Sequence, residues 1–289
     1  MKTPSKPFAK YSAAHTIFRM FFTSPLQKNL IPLFKSVIKN FFIIQQKQKL
    51  HITDIPVVHV DHHLDAHIPF TPKKVKIYLD FIWFIARSMD MLFKNVPKEQ
   101  AIQIFSDFEN FVQDLYTKAG EIYSKTLSTT ERPSYFKTPR FIIIHAFDPH
   151  LLCVPSLHVA LVAGTWAFMR QALKSTNLEN YEIQKILNEL FFGAIKITES
   201  VLYVKQHSIN CVAAAFYILT ASYNKDFFTK EDTKYFIEKL FEDSPDVFPS
   251  DILEIQNYML TMYSSLLEKQ KKEKNWKEPL LEWLKNYKS

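Results

Sequence analysis

An all-α fold is what this sequence predicts, and three observations carry the expectation. Only 3 of its 289 residues are glycine, against roughly 7% in an average chain, so tight hairpins that need glycine at positive φ are scarce. Apolar side chains recur at three- and four-residue spacing, as at Ile77, Phe81, Phe84, Ile85 and Leu92 with Ser88 between them, which is the period of a helix face. Hydrophobic residues make up 47% and charged residues 22%, a globular composition rather than that of a mostly disordered chain. The scarcity of glycine also excludes phosphate cradles of the P-loop or dinucleotide-binding kind.

Residues 1–50 read as one or two basic helices broken near Pro25 and Pro32, because an internal proline removes a hydrogen-bond donor and crowds the preceding turn. Residues 51–74 hold Pro56, Pro69, Pro72 and a His/Asp cluster and read as a loop. Helices follow over 74–94 and 98–125, and a loop with Pro133, Pro139 and Pro149 leads into a helix over 155–174. Further helices are expected over 179–203, 204–222, 229–243 and 250–286, the last ending in an amphipathic Trp, Leu and Lys stretch. The organisation predicted is a basic amphipathic arm (1–50), a catalytic helical bundle (51–225) and C-terminal helices packing on it (226–289).

The net charge of +7 is unevenly placed. Residues 1–53 hold nine Lys or Arg and no Asp or Glu, which leaves 27 basic against 29 acidic residues elsewhere. The same segment carries Ile17, Phe18, Phe21, Phe22, Ile31, Leu33, Phe34, Ile38, Phe41 and Phe42. Basic, apolar and aromatic residues on one amphipathic segment suit an anionic membrane surface; a packed helix with a solvated lysine face fits them as well. Nothing along the chain looks like a base-reading module, so no nucleic-acid partner is expected. Residues 149–169 and 206–224 lack Asp, Glu, Lys and Arg but contain His and other polar side chains, and they read as buried core helices. No secretory signal is visible, and the two cysteines, Cys153 and Cys211, read as reduced thiols. A cytoplasmic or membrane-peripheral location is expected.

Three short patterns carry the chemistry. Lys125 precedes Arg132-Pro133 by six intervening residues; Pro155-Ser156-Leu157-His158 follows; Ser200 then precedes Lys205-Gln206-His207 by four. Each alone is weak, and the ordered set is specific. A transferring phosphoryl group spreads negative charge over its oxygens, so catalysis is largely positioning and electrostatic stabilisation. Without a metal, that charge falls to Lys and Arg, whose guanidinium can grip two oxygens. Pro155 suits a helix start, and the free backbone N–H groups near Ser156 and Leu157 favour an anion. Two histidines near one phosphate divide the work, one attacking phosphorus and one moving the proton of the leaving oxygen.

Together these runs resemble the three motifs of the type 2 phosphatidic acid phosphatase superfamily, which includes vanadium haloperoxidases and the inositol-phosphorylceramide and sphingomyelin synthases. Pro-Ser-Leu-His-Val-Ala and Lys-Gln-His are closer to the lipid phosphotransferase branch, as is Asp65-Ala66-His67-Ile68-Pro69-Phe70 followed by Tyr78. The resemblance covers residues 60–224 and implies a helical bundle of the phosphatidic acid phosphatase/haloperoxidase type. It implies His207 as nucleophile, His158 as general acid and base, and Lys125, Arg132 and Ser156 as phosphate ligands. Lys205 stands where other members use an arginine, and Ser200 opens the third motif. The activity implied is cofactor-free hydrolysis of a phosphate monoester or lipid phosphate through phosphohistidine, or transfer of a phospho-headgroup to an alcohol.

One departure is specific. The family's third motif continues to an Asp that orients the nucleophilic imidazole, and here that position is Cys211. Losing a comparable Asp costs roughly 10⁴ in rate in serine proteases. Asn210, Glu199 and Asp148 are the candidate substitutes, and the departure keeps a catalytically silent membrane-associated binding protein as the rival. A vanadate-dependent peroxidase is disfavoured by the absence of the family's glycine in the second motif. The run from His59 to His67 lacks recognisable ligand spacing, and no metal is assigned to it.

Overall fold

The structure, a computed structural model, describes residues 6–273 and 275–288; residues 1–5 of the basic arm, Lys274 and Ser289 lie outside the described residues. The chain runs α1 (Ala13–Phe22), α2 (Ser24–Val37), a π-helical segment (Ile38–Ile43), α3 (Ile44–Lys49) and β1 (Val57–His59). After short turns come α4 (Val75–Tyr78), α5 (Phe81–Asn95), α6 (Lys98–Tyr123), β2 (Leu127–Thr129) and α7 (Pro139–Phe147). Then follow α8 (Leu157–Ala172), α9 (Asn180–Tyr203), α10 (Ile209–Ala221), α11 (Lys230–Glu238), α12 (Pro249–Gln270) and α13 (Glu278–Asn286). The protein is mostly helical, as expected, with one addition: β1 and β2 pair in parallel, Val58 opposite Ser128.

The helix expected over 204–222 starts only at Ile209, and the one expected over 229–243 ends at Glu238; four further differences from the expectation have a local reason. Helix α2 continues through Pro32; Pro32 and Lys28 are exposed, so the carbonyl left without a donor is open to water. Pro139 starts α7 instead of sitting in a loop, since its fixed φ and missing N–H suit a first helical turn. The helix expected over 74–94 breaks at Leu79-Asp80, where Asp80 accepts two hydrogen bonds from the buried Arg87 guanidinium at 3.0 and 2.6 Å. The terminal helix divides into α12 and α13, and α13 folds back to bury Leu280 and Leu284 against α12.

The bundle forms around α8 and α10. Every residue from Ile209 to Leu219 is buried, and α8 packs on α6, α9 and α10. This position explains two charge-poor stretches without a bilayer, and no helix among the described residues is long and apolar enough to cross a membrane.

The arm lies along the bundle, α1 on α5 and α2 on α6. The fully buried Asp90 accepts from the Ser12 amide at 2.9 Å and from the Arg19 guanidinium at 2.5 Å. Gly120 lets the π-helical segment approach α6, because a Cβ there would stand 2.7 Å from the Asn40 Cβ. Gly120→Ala is therefore expected to destabilise the fold by about 1–3 kcal/mol, read as a lower urea midpoint. An unchanged midpoint would show that the segment yields freely at Asn40.

Candidate active site

The site is built where the turn after α9 meets the chain ahead of α8. Lys205 takes a left-handed conformation, φ 54°, and the Gln206 and His207 amides both donate to the Val201 carbonyl, at 3.0 and 3.3 Å. This reversal turns His207 back over Cys153. The Asp65 carboxylate accepts from the Ile209 amide at 2.9 Å and from the His62 amide at 2.8 Å, while Lys205 Nζ donates to the Asp65 carbonyl. The Asp-x2-Ile-Pro-Phe segment and the third motif thus form one knot. The Ser156 amide donates to the Cys211 carbonyl at 3.1 Å, joining the start of α8 to the first turn of α10.

Two imidazoles face each other across this junction. His207 Nε2 and His158 Nδ1 are 3.4 Å apart, and His207 Nδ1 lies 3.2 Å from the Cys153 carbonyl. A carbonyl only accepts, so His207 Nδ1 carries a proton. In the neutral ring, Nε2 then holds the free lone pair, and the facing His158 Nδ1 donates to it. The His158 ring is held by Tyr78 and Phe81, with ring centroids at 4.6 and 4.4 Å. Burial, reinforced by the neighbouring His207, pushes His158 down to about 3. Burial, reinforced by His150, likewise pushes His207 down to about 3. Both rings are neutral at pH 7, the state a nucleophilic nitrogen needs.

The imidazoles line a cavity of about 20 Å³, room for about one water. Its walls include Asp148, His150, Cys153, Leu157 and Gln206, and Phe41 of the arm closes one side. Arg132 stands behind this wall, donating to Gln206 Oε1 at 3.2 Å and to the Asp148 carbonyl at 3.0 Å. The other cations and hydroxyls expected here are placed elsewhere. Lys125 is exposed past the end of α6. Lys205 is taken by Asp65. The buried Ser156 hydroxyl caps α8, accepting from the Val159 amide at 3.5 Å, and Ser200 donates to the Ile197 carbonyl at 2.7 Å. The structure brings the two histidines together with Arg132 nearby, and does not bring Lys125, Ser156, Lys205 or Ser200 to the cavity wall.

Cys211 does not face His207. Its sulfur accepts from the Ser208 amide at 3.3 Å inside the α10 cap, and burial holds its thiol well above the usual range. Of the expected substitutes for the missing Asp, Asn210 is engaged by Val60, Tyr258 and Tyr287, and Glu199 accepts from the Phe241 amide. The Cys153 carbonyl takes the orienting place, a backbone group that residue types do not reveal.

His150 and Cys153 were absent from the expected constellation. His150 lies 2.8 Å from the Thr130 hydroxyl and 3.7 Å from the Cys153 sulfur. Burial raises the Cys153 thiol, and Cys211 and His150 pull it back below the usual range. The available signal was the crowding of Asp148, His150 and Cys153 just ahead of Pro-Ser-x-His. In the His59–His67 run, the His62 ring stacks on Tyr258 and His67 pairs with Asp251 at 3.2 Å. Among the described residues no three His, Cys, Asp or Glu side chains converge in a way that could hold a metal ion.

Comparison with protein-family models, with curated proteins and with solved structures finds no match.

The depressed imidazoles give a pH prediction. Between about 3 and 6.5 the unfolded chain binds protons at His158 and His207 that the folded protein does not, so their contribution to stability is complete above 6.5 and falls with pH through that window. Unfolding free energy measured from pH 7 to pH 4 should fall more steeply for the wild type than for His158→Gln/His207→Gln. Equal slopes would mean that the two imidazoles titrate alike in the folded and unfolded chain.

Proposed function

We propose that the protein is a metal-independent phosphoesterase of the type 2 phosphatidic acid phosphatase kind, working through phosphohistidine on a phosphate monoester or lipid phosphate. The observation that carries this is the imidazole pair: an unprotonated His207 Nε2, its tautomer set by the Cys153 carbonyl, accepting from His158 Nδ1 at 3.4 Å. In the reaction His207 Nε2 forms a P–N bond as the P–O bond to the leaving group breaks, and His158 supplies the proton that oxygen needs. Water or an alcohol then attacks phosphorus, returns a proton to His158 and releases His207.

The low basicity of the empty site fits this sequence. A phosphate ester, with a second pKa near 6, brings both negative charge and an exchangeable proton. Its charge raises the basicity of the facing imidazoles, so the acid forms only once substrate is bound. Leu157 and His158 form the first turn of α8 beside the cavity, and amides there favour an anion. Arg132, held by two residues of the cavity wall, is the cation placed to move in. Because the cavity holds about one water, substrate binding displaces Phe41.

A second reading is a binding protein without turnover. It is favoured by the same small cavity and by the placement of Lys125, Ser156 and Lys205 away from it. Phosphate release from a panel of phosphomonoesters and lipid phosphates, without added metal, separates the two. The expected result is turnover that vanadate inhibits and that His207→Ala abolishes. Turnover equal to His207→Ala across the panel leaves the binding protein. Cys211→Asp should bring no acceleration, since His207 Nδ1 already has its partner; a gain would place the orienting group at residue 211 after all.

A membrane surface is the proposed setting. Phe18, Phe22, Ile31 and Phe34 are exposed on an arm whose segment 1–53 has nine basic and no acidic residues. Phe18→Ser/Phe22→Ser/Phe34→Ser is expected to reduce sedimentation with anionic liposomes, with the residual binding lost as salt rises. Unchanged sedimentation of the variant would remove the arm from the membrane contact.

A further inference from the structure

A cavity of about 290 Å³ lies between the arm and the bundle, close to the lower end of ligand-pocket sizes, roughly 300–1,000 Å³. Its walls come from α1, α2, α5, α6 and α8, with Met20, Leu30, Phe81, Met89, Phe105 and Leu161 among them. Of the three side chains with polar groups in this apolar lining, Thr16, Glu109 and Tyr116, the first two differ sharply. The Thr16 hydroxyl donates to the Ala86 carbonyl at 2.6 Å. Glu109, 1% exposed, has both carboxyl oxygens buried without a partner.

An unpaired buried carboxyl is costly, and burial pushes Glu109 up to about 8, so it is a neutral acid at pH 7. In that form it both donates and accepts. A hydroxyl, which also does both, is its natural complement. A ligand anion is disfavoured, since no Lys or Arg side chain lines the cavity.

The position of the mouth names the rest of the ligand. Ile17, Phe34 and Ile82 line the cavity and are also exposed to solvent, on the arm and helix that present Phe18, Phe22 and Trp83. The opening therefore belongs to the apolar surface of the arm. At the inner end Phe81 lines the cavity and packs on His158 at 4.4 Å, which separates any occupant from the imidazoles by one ring.

We propose that this cavity is a binding site for a single aliphatic chain bearing a hydroxyl, with the chain along the apolar walls and the hydroxyl paired with Glu109. The ligand joins the arm to the bundle through walls contributed by both. The proposal stands on the cavity and Glu109 and does not depend on the histidine chemistry.

Isothermal titration of the full chain with 1-decanol, and with 1-fluorodecane as a near-isostere lacking the donor, tests it. The wild type is expected to bind decanol saturably, at one site, about tenfold more tightly than fluorodecane. Glu109→Gln should keep that preference, because an amide donates and accepts. Glu109→Leu should lose it while remaining folded by circular dichroism. His207→Ala should bind decanol like the wild type, so loss of turnover and loss of this site are read separately. No saturable binding of decanol to the folded wild type overturns the proposal. So does equal affinity for the two ligands in the wild type, or an unchanged preference in Glu109→Leu.

Discussion

The hydrogen bond from His207 Nδ1 to the Cys153 carbonyl, 3.2 Å long, is the constraint on which the centre of this molecule depends. It decides which ring nitrogen is protonated, and with that which nitrogen presents a lone pair to His158. A carboxylate in the same place would also supply a full negative charge to an imidazolium; a carbonyl supplies only a dipole. Under the phosphoesterase reading proposed above, the site would hold a neutral nucleophile in the right tautomer and would rely on the charge of a bound ester to stabilise the imidazolium.

That one bond is held by backbone geometry on both sides. The left-handed Lys205 turns the chain after α9, Asp65 pins the Ile209 amide, and the Ser156 amide ties α8 to the Cys211 carbonyl. Ser156, Lys205 and Cys211 thus all serve the frame around the imidazoles. Their side chains or backbones fix where the two helix starts meet, which is why residues with chemical potential can lie near the site without lining it. The buried run Ile209–Leu219 of α10 supplies the rigidity, since a packed helix transmits a displacement at its start rather than absorbing it.

Much of this was legible in the residues. Helical period and the lack of glycine led to a mostly helical fold, and the spacing of the three motifs singled out the two histidines that the structure places 3.4 Å apart. What escaped was local and backbone-borne. Pro32 and Pro139 read as breaks, though one sits on an exposed helix face and the other opens a helix. The Cys153 carbonyl has no residue signature, so residue 211 drew the attention that belonged to residue 153. The short parallel pair of Val57–His59 and Leu127–Thr129 depends on chain segments far apart in sequence, beyond the reach of periodicity. Nothing in the residue pattern sets Glu109 apart; only its burial marks it out.

The most direct test of the account is the tautomer and reactivity of His207, read by ¹⁵N NMR of histidine-labelled protein with and without vanadate. A neutral ring protonated at Nδ1 and bare at Nε2 is expected at pH 7, with vanadate shifting the Nε2 resonance of His207 as the new bond forms, and His207→Ala lacking that signal. A His207 protonated at Nε2, or resonances untouched by saturating vanadate, would contradict the assignment of His207 as the nucleophile.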